Sequence, residues 1–404
     1  LARRQSCRRS ASIKIVGEEI MNIVTRQLDT AQQNEGDFQP DLMPFAPQKI
    51  SQWHTRAAGL RHVEGSAGES VVQNLSARQP SEVKNMPIDL CRPLSWRDTS
   101  PDELAMLSNL QGNILKGHGR KHAAHILLQF DKSNVAGAKS FLRAMATHIT
   151  NAYQQLRDAD RFRNSRHKLS GGRFVAFFLS ATGYRALGFD DDALPSDRAF
   201  REGFLTRVPQ MVDTFTHMWD AIYRDEIHAM LMIADDNPAA VHHAREGLRR
   251  QMNGGVRVVG MEVGIALRRN DFDETNCSQA SMLSEDANPN DDNKIALDWA
   301  LVKCPNVESD VSFGSYLAFA KLDFDGEMDT LYSLRRRAGT MTHRSMLGID
   351  RDSPLTHPSL LFMAYQANLA KQFETLRWAV NIGAASVQGG EYFFAPCVSF
   401  LKNV

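Results

Sequence analysis

Apolar runs of strand length alternate with amphipathic helical stretches in the order β-α-β-β-α-β between His122 and Leu267, which predicts an α+β fold with helices on one face of an antiparallel sheet. The same grammar begins again near residue 295, so the chain reads as two ferredoxin-like units, the second shortened. No apolar run approaches the roughly 18 residues a membrane span requires, which predicts a soluble protein. The expected organisation is a mostly disordered arm over 1–95, a first unit over 105–270, an acidic loop over 271–294 and a second unit over 295–404.

Residues 21 to about 85 are rich in Gln, Asn, Gly and Ser and hold no sustained periodicity, so they cannot bury a core. A short stretch around Cys91–Trp96 is expected to pack on the domain, and Ser100-Pro101 to open a helix as cap and first residue. His122–Phe130 is the first strand. Val135 to Tyr153 carries Ala138, Leu142, Met145, Ile149 and Ala152 on one helical stripe. Arg173–Ser180 and Glu226–Ala234 are the next strands, separated by an insertion containing Tyr184, Phe200 and Trp219. Asn237-Pro238 caps a helix with Val241, Ala244, Leu248 and Met252 on its buried face; Gly254-Gly255 ends it, and Val256–Leu267 is the fourth strand.

The stretch from about 270 to 293 is acidic, Asn-rich and Ser-rich and reads as a loop. Beyond it Phe313–Leu322 is a strand, Gly326–Arg337 a helix, Leu360–Ala367 a strand, Leu369–Val380 a helix and Glu391–Phe400 the last strand. The Asp325-Gly326 pair reads as a turn at a strand's end.

Positive and negative charges balance at 47 each and are mixed along the chain, so no global field argues for nucleic acid or an acidic membrane surface. The five cysteines stand singly, with no pair at metal-ligand spacing, which fits free thiols in a reducing, cytoplasmic setting. The basic first twenty residues read as an over-extended gene start, with a targeting peptide as the alternative.

Two stretches carry a family likeness: Asn109-Leu-Gln-Gly-Asn-Ile-Leu-Lys-Gly-His-Gly-Arg120 and Gly389-Gly-Glu-Tyr-Phe-Phe-Ala-Pro-Cys-Val-Ser-Phe-Leu-Lys-Asn-Val404. With Val258–Leu267, Ser312–Leu322 and Leu360–Phe373 between them, in order, residues 105–404 resemble the dye-decolorizing (DyP-type) peroxidases. The resemblance implies a dimeric α+β barrel with haem b in the C-terminal half, oxidising dyes or phenolics with hydrogen peroxide, and it admits a homo-oligomer. It also implies three groups: an axial histidine to hold and tune the iron, an aspartate in Gly-x-x-Asp-Gly that moves a proton between the peroxide oxygens, and a distal arginine that stabilises the charge on the departing oxygen.

The residues depart from that pattern in two places. Where the aspartate motif belongs the chain reads Asp271-Phe-Asp-Glu-Thr-Asn-Cys-Ser-Gln-Ala280, which leaves Asp273 as an acid nearby without the flanking glycines. From His243 to His343 there is no histidine, and the chain passes from Leu322 to Arg335-Arg-Arg-Ala-Gly339 without an Ala-His segment. By position His343 is the candidate metal ligand, with His357 behind it; both also read as polar loop residues. Arg336 is the best match for the distal arginine, with Arg335 and Arg337 as register alternatives and a cationic helix end as the plain reading. Phe362, Tyr365 and Phe373 are candidate cofactor-lining residues by the resemblance and core residues by their spacing. Two functions stay open: a haem peroxidase acting on small aromatic substrates, with Trp299, Trp378 or Tyr365 as radical sites, and a non-catalytic pseudoenzyme serving as a binding or scaffold protein, or an incomplete gene product.

Overall fold

The computed structural model describes residues 88–166, 170–211, 216–252, 254–266, 281–286, 294–323, 342–349, 359–374 and 387–404, with backbone alone for 210–211 and 342–349. The N-terminal arm, the Gly326–Arg337 helix and the helix beyond Glu374 lie outside the described residues.

Helix α1 (Pro101–Asn109) starts on a capping box: Ser100 Oγ accepts the Glu103 N–H and Glu103 accepts the Ser100 N–H, which satisfies two donors that the first turn leaves open. Ahead of it, Leu94 and Trp96 are buried as expected, and Leu94 bridges to Leu283 through hydrogen bonds with Met282 and Ser284. Met282 and Leu283 are fully buried. Within the stretch read as an acidic loop, residues 281–286 run as isolated bridges and a turn, and their short apolar core is held as a partner of the segment before α1.

Strand β1 (His122–Phe130) is followed by α2 (Val135–Ala146) and α3 (Ala152–Asn164). The single helix predicted to Tyr153 is therefore two, because Asn151 caps a second start by accepting the Gln154 N–H. Next come β2 (Phe174–Ser180), α4 (Ala181–Ala186), α5 (Arg198–Glu202), α6 (Phe204–Met211), β3 (Ala229–Asp235), α7 (Pro238–Arg249) with Asn237 as its cap, and β4 (Val256–Ala266).

The second half supplies β5 (Val302–Lys303), β6 (Phe313–Asp323), β7 (Thr342–Ile349), β8 (Ser359–Gln366), β9 (Val387–Ala395) and α8 (Val398–Asn403). Here three expectations change. His343 stands on strand β7 rather than in a loop. The described start of the Leu369–Val380 helix is a π-helical turn, Leu369–Phe373. The last strand ends at Ala395 because Pro396 has no N–H for the ladder, and residues to Asn403 turn into α8.

All strand pairings are antiparallel, in the order β5-β6-β8-β7-β4-β1-β3-β2-β9, and β9 returns to β6. Apart from the short β5, the sheet is a closed barrel without free edges. The two halves join where β4 pairs β7 (Val263↔Ile349 to Ala266↔Met346) and where β2 meets β9 (Leu179↔Phe394, Ser180↔Phe393). Strand alternation sends one set of side chains inward. His125 on β1 meets Phe319 on β6 at 5.4 Å between ring centroids, and Phe178 on β2 meets Tyr365 on β8 at 6.3 Å. The neighbouring Phe177 points outward, where its ring packs edge-on against Phe141 of α2. Both faces of β2 and β3 are buried, which is why those strands are continuous apolar runs.

Candidate functional site

The two stretches that carry the family likeness meet in space. Asn109 donates from Nδ2 to Ser312 Oγ (2.8 Å) and Ser399 Oγ (2.9 Å), and accepts the Ser399 N–H (2.8 Å). Gln111 donates to the Phe177 and Pro396 carbonyls (2.7 and 2.8 Å) and accepts the Phe177 N–H (2.8 Å). Asn113, in the left-handed conformation at φ 69°, accepts the His118 N–H and donates to Tyr365 Oη at 2.8 Å. Gly112 is required between them, because a methyl group there would lie 2.7 Å from both Gln155 Oε1 and the Phe174 ring. The motif is thus a clamp of neutral amides that joins the start of the domain to β2, β8 and the C-terminal segment.

Of the candidate cofactor-lining residues, all three are buried, and the fold separates them. Tyr365 faces the barrel interior under Asn113. Phe362 lies on the opposite face of β8, 6.5 Å from Phe373, whose ring stands edge-on to Tyr392 at 5.8 Å. Beside this aromatic row Arg207 forms a two-pronged ion pair with Glu374, donates to Glu202 (2.8 Å), and Tyr392 Oη donates to Glu374 (3.2 Å). That arginine is committed to carboxylates on both sides, and their hydrogen bonds hold its guanidinium in the charged state. Arg336 and Asp273 lie outside the described residues. His343 pairs with Ala364 across β7 and β8, and its side chain is not among those described.

The barrel interior holds polar residues that the sequence reading passed over. Lys321 is buried on β6 and bridges Asp220 Oδ2 (2.6 Å) and Glu262 Oε1 (3.1 Å), while Tyr223 Oη donates to Glu262 (3.1 Å). Burial raises the Glu262 carboxyl; Lys321 opposes this, and the two carboxylates raise Lys321 in turn against its own burial. A charged residue inside each of two apolar runs, FGSYLAFAKL and VVGMEVGIAL, was the available signal. Next to Glu262 in register, His125 is fully enclosed and neither ring nitrogen has a hydrogen-bond partner. Desolvation pushes it down to about 4; the Glu262 backbone pulls slightly the other way without reaching hydrogen-bond geometry. Glu391, its carboxyl pushed up to about 7 by burial, accepts the Tyr392 and Phe204 N–H groups and reads as a structural acceptor.

Haem iron needs an imidazole with open space before its free nitrogen. His125 is neutral, but it is fully enclosed, with the Phe319 ring over it and Glu262 beside it in register. Phe362, Phe373 and Tyr392 offer an apolar wall whose one hydroxyl, on Tyr392, is engaged with Glu374. Among the described side chains, then, His125 does not offer haem an axial ligand, because no open space stands before either ring nitrogen. One polar cleft of about 440 Å³ is lined by Gln129, Lys132, Glu226, His228 and Arg257. Its His228 is occupied, accepting the Phe130 N–H and pairing with Glu226.

Closed antiparallel strands built from two α+β halves define the class, a dimeric α+β barrel. Residues 109–266 match the DyP dimeric alpha+beta barrel domain, the domain found in DyP-type peroxidases. It is 29% identical over 288 residues to the multifunctional dye peroxidase DyP2 of Amycolatopsis sp., an alignment covering 63% of this chain and 60% of that protein's length. Its fold is similar to that of a DyP-type peroxidase of Anabaena sp. (TM-score 0.68, 23% identity, 81% of this chain and 99% of the other). It is likewise similar to the structure of Amycolatopsis DyP2 (TM-score 0.69, 21% identity, 78% and 100%). Among the described residues no helix is long and apolar enough to cross a membrane.

Proposed function

We propose that this chain is a DyP-type barrel that keeps the fold and does not perform the haem peroxidase reaction, acting instead as a non-catalytic binding or scaffold protein. One observation carries the reading: the stretch between His243 and His343 contains neither a histidine nor a Gly-x-x-Asp-Gly motif, although it keeps strands β4 and β6 of the barrel. Iron without an imidazole and peroxide without its proton shuttle lose both halves of the chemistry. The packed interior around His125 supports the same reading, since it offers no replacement ligand.

The second reading, haem-dependent oxidation of dyes or phenolics, is favoured by the likeness to a dye peroxidase. In it Arg336 serves as distal arginine, Asp273 as proton shuttle and His343 as axial ligand, with Phe362, Tyr365 and Phe373 about the cofactor. One experiment separates the two. Protein expressed with excess haem precursor and purified is expected to show no Soret band and no peroxide-dependent dye turnover. A stoichiometric Soret band that His343→Ala abolishes, together with turnover, would establish the second reading instead.

A further inference from the structure

The cysteines stand singly in the sequence, but two of them meet in the fold. Cys304 follows the edge strand β5 and Cys397 follows β9 and Pro396, 93 positions apart, and the Cys397 N–H donates to Cys304 Sγ at 3.2 Å. Cys397 Sγ lies 3.3 Å from Ser399 Oγ. The Cys304 N–H is fixed to the Ser312 carbonyl at 3.0 Å. Ser312 and Ser399 are the two hydroxyls that Asn109 holds, so the thiol pair is seated on the amide clamp.

We propose that Cys304 and Cys397 are a redox couple: a hydroperoxide oxidises Cys397, and Cys304 resolves it to a disulfide that ties the β5 edge to the C-terminal segment. The inference is independent of haem and of the function proposed above. The environments divide the roles. Interaction with Cys304 and the nearby Ser399 hydroxyl favours the thiolate of Cys397 over the opposing burial, whereas burial, first, and its partner keep Cys304 protonated.

In the first step the Cys397 thiolate attacks one peroxide oxygen and the O–O bond breaks. The sulfur becomes a sulfenic acid, and the departing alkoxide takes up the proton that Cys397 gave away. In the second, Cys304 sulfur displaces the hydroxyl, which leaves as water with the Cys304 proton. Two thiols and one hydroperoxide yield one disulfide, one alcohol and one water. Both sulfurs are nearly enclosed, with Cys304 4% exposed and Cys397 0%. Access comes from lifting β5, a two-residue edge strand paired to the barrel along one side alone, by Val302↔Gly314 and Lys303↔Phe313.

The test uses the full, reduced, haem-free chain, exposed to hydrogen peroxide at pH 7, alkylated and digested without reductant, with circular dichroism confirming that it stays folded. A peptide joining Cys304 to Cys397, lighter by two hydrogens and reversed by dithiothreitol, is the expected result. In Cys304→Ser, dimedone should label Cys397; in Cys397→Ser, labelling at Cys304 should be about ten-fold weaker. The proposal is overturned if both thiols remain alkylatable in folded protein under exposure that oxidises the surface thiol of Cys91. Linkage that appears only after unfolding overturns it too. The wild-type peptide decides the matter even if a variant fails to fold.

Discussion

Two buried polar regions of this barrel solve the same problem in opposite ways. At the clamp, Asn109, Gln111 and Asn113 are neutral amides, and each reaches backbone or hydroxyl partners from several elements. In the interior, Lys321, Glu262 and Asp220 bury charge, and His125 beside them is left without a hydrogen bond. Satisfied neutral amides specify a fold at low desolvation cost, while buried ions depend wholly on their partners and an unsatisfied ring costs free energy outright. The clamp is therefore a device for joining chain ends. The interior, by contrast, is a set of groups whose removal has different signs.

The contrast breaks down most visibly if Lys321 is removed. Lys321→Met should cost about 4 kcal/mol in urea unfolding, because Glu262 is left charged and enclosed; adding Glu262→Leu should restore most of it. Equal loss in single and double variants would show that the ion pair is not what holds this region. Gln111→Ala should follow, at on the order of 3 kcal/mol, since the Phe177 N–H and carbonyl and the Pro396 carbonyl lose their partner together. A loss as small as that of an exposed glutamine would remove the clamp from the account.

His125→Leu sharpens the comparison by stabilising. The folded ring titrates at about 4 against 6.5 when free, so below pH 6.5 the unfolded chain takes up a proton that the folded chain refuses. Stability of the wild type thus falls as pH drops from 6.5 to 4, by about 2 kcal/mol at pH 5, and this component is absent above pH 7. The leucine variant should lack that slope. Parallel pH profiles for the two proteins would mean that a water or another partner satisfies the ring.

Much of the strand content was legible because β2 and β3 are buried on both faces and so appear as unbroken apolar runs. Strand β7 was not, since Thr342-His-Arg-Ser-Met-Leu-Gly-Ile349 shows neither alternation nor an apolar run, and its place is set by pairing with β4 and β8. The break between α2 and α3 was also hidden: the apolar stripe runs on through Ile149 and Ala152, while the chain turns at Asn151, where a side-chain cap competes with helix continuation. Of the site candidates, Phe362, Tyr365 and Phe373 were legible as buried residues, but not their division between the two faces of β8.

By itself the sequence determined the likeness to the DyP-type barrel, the α+β class and the lack of a histidine between His243 and His343, because residue order, apolar period and residue type are local properties. Only the tertiary structure decided that the two signature ends clasp each other, that Lys321 meets Glu262 and Asp220, and that Cys304 rests against Cys397. Such contacts join residues tens to hundreds of positions apart. They exist because the strands close into a barrel, and closure depends on strand register, which no local pattern in the chain records.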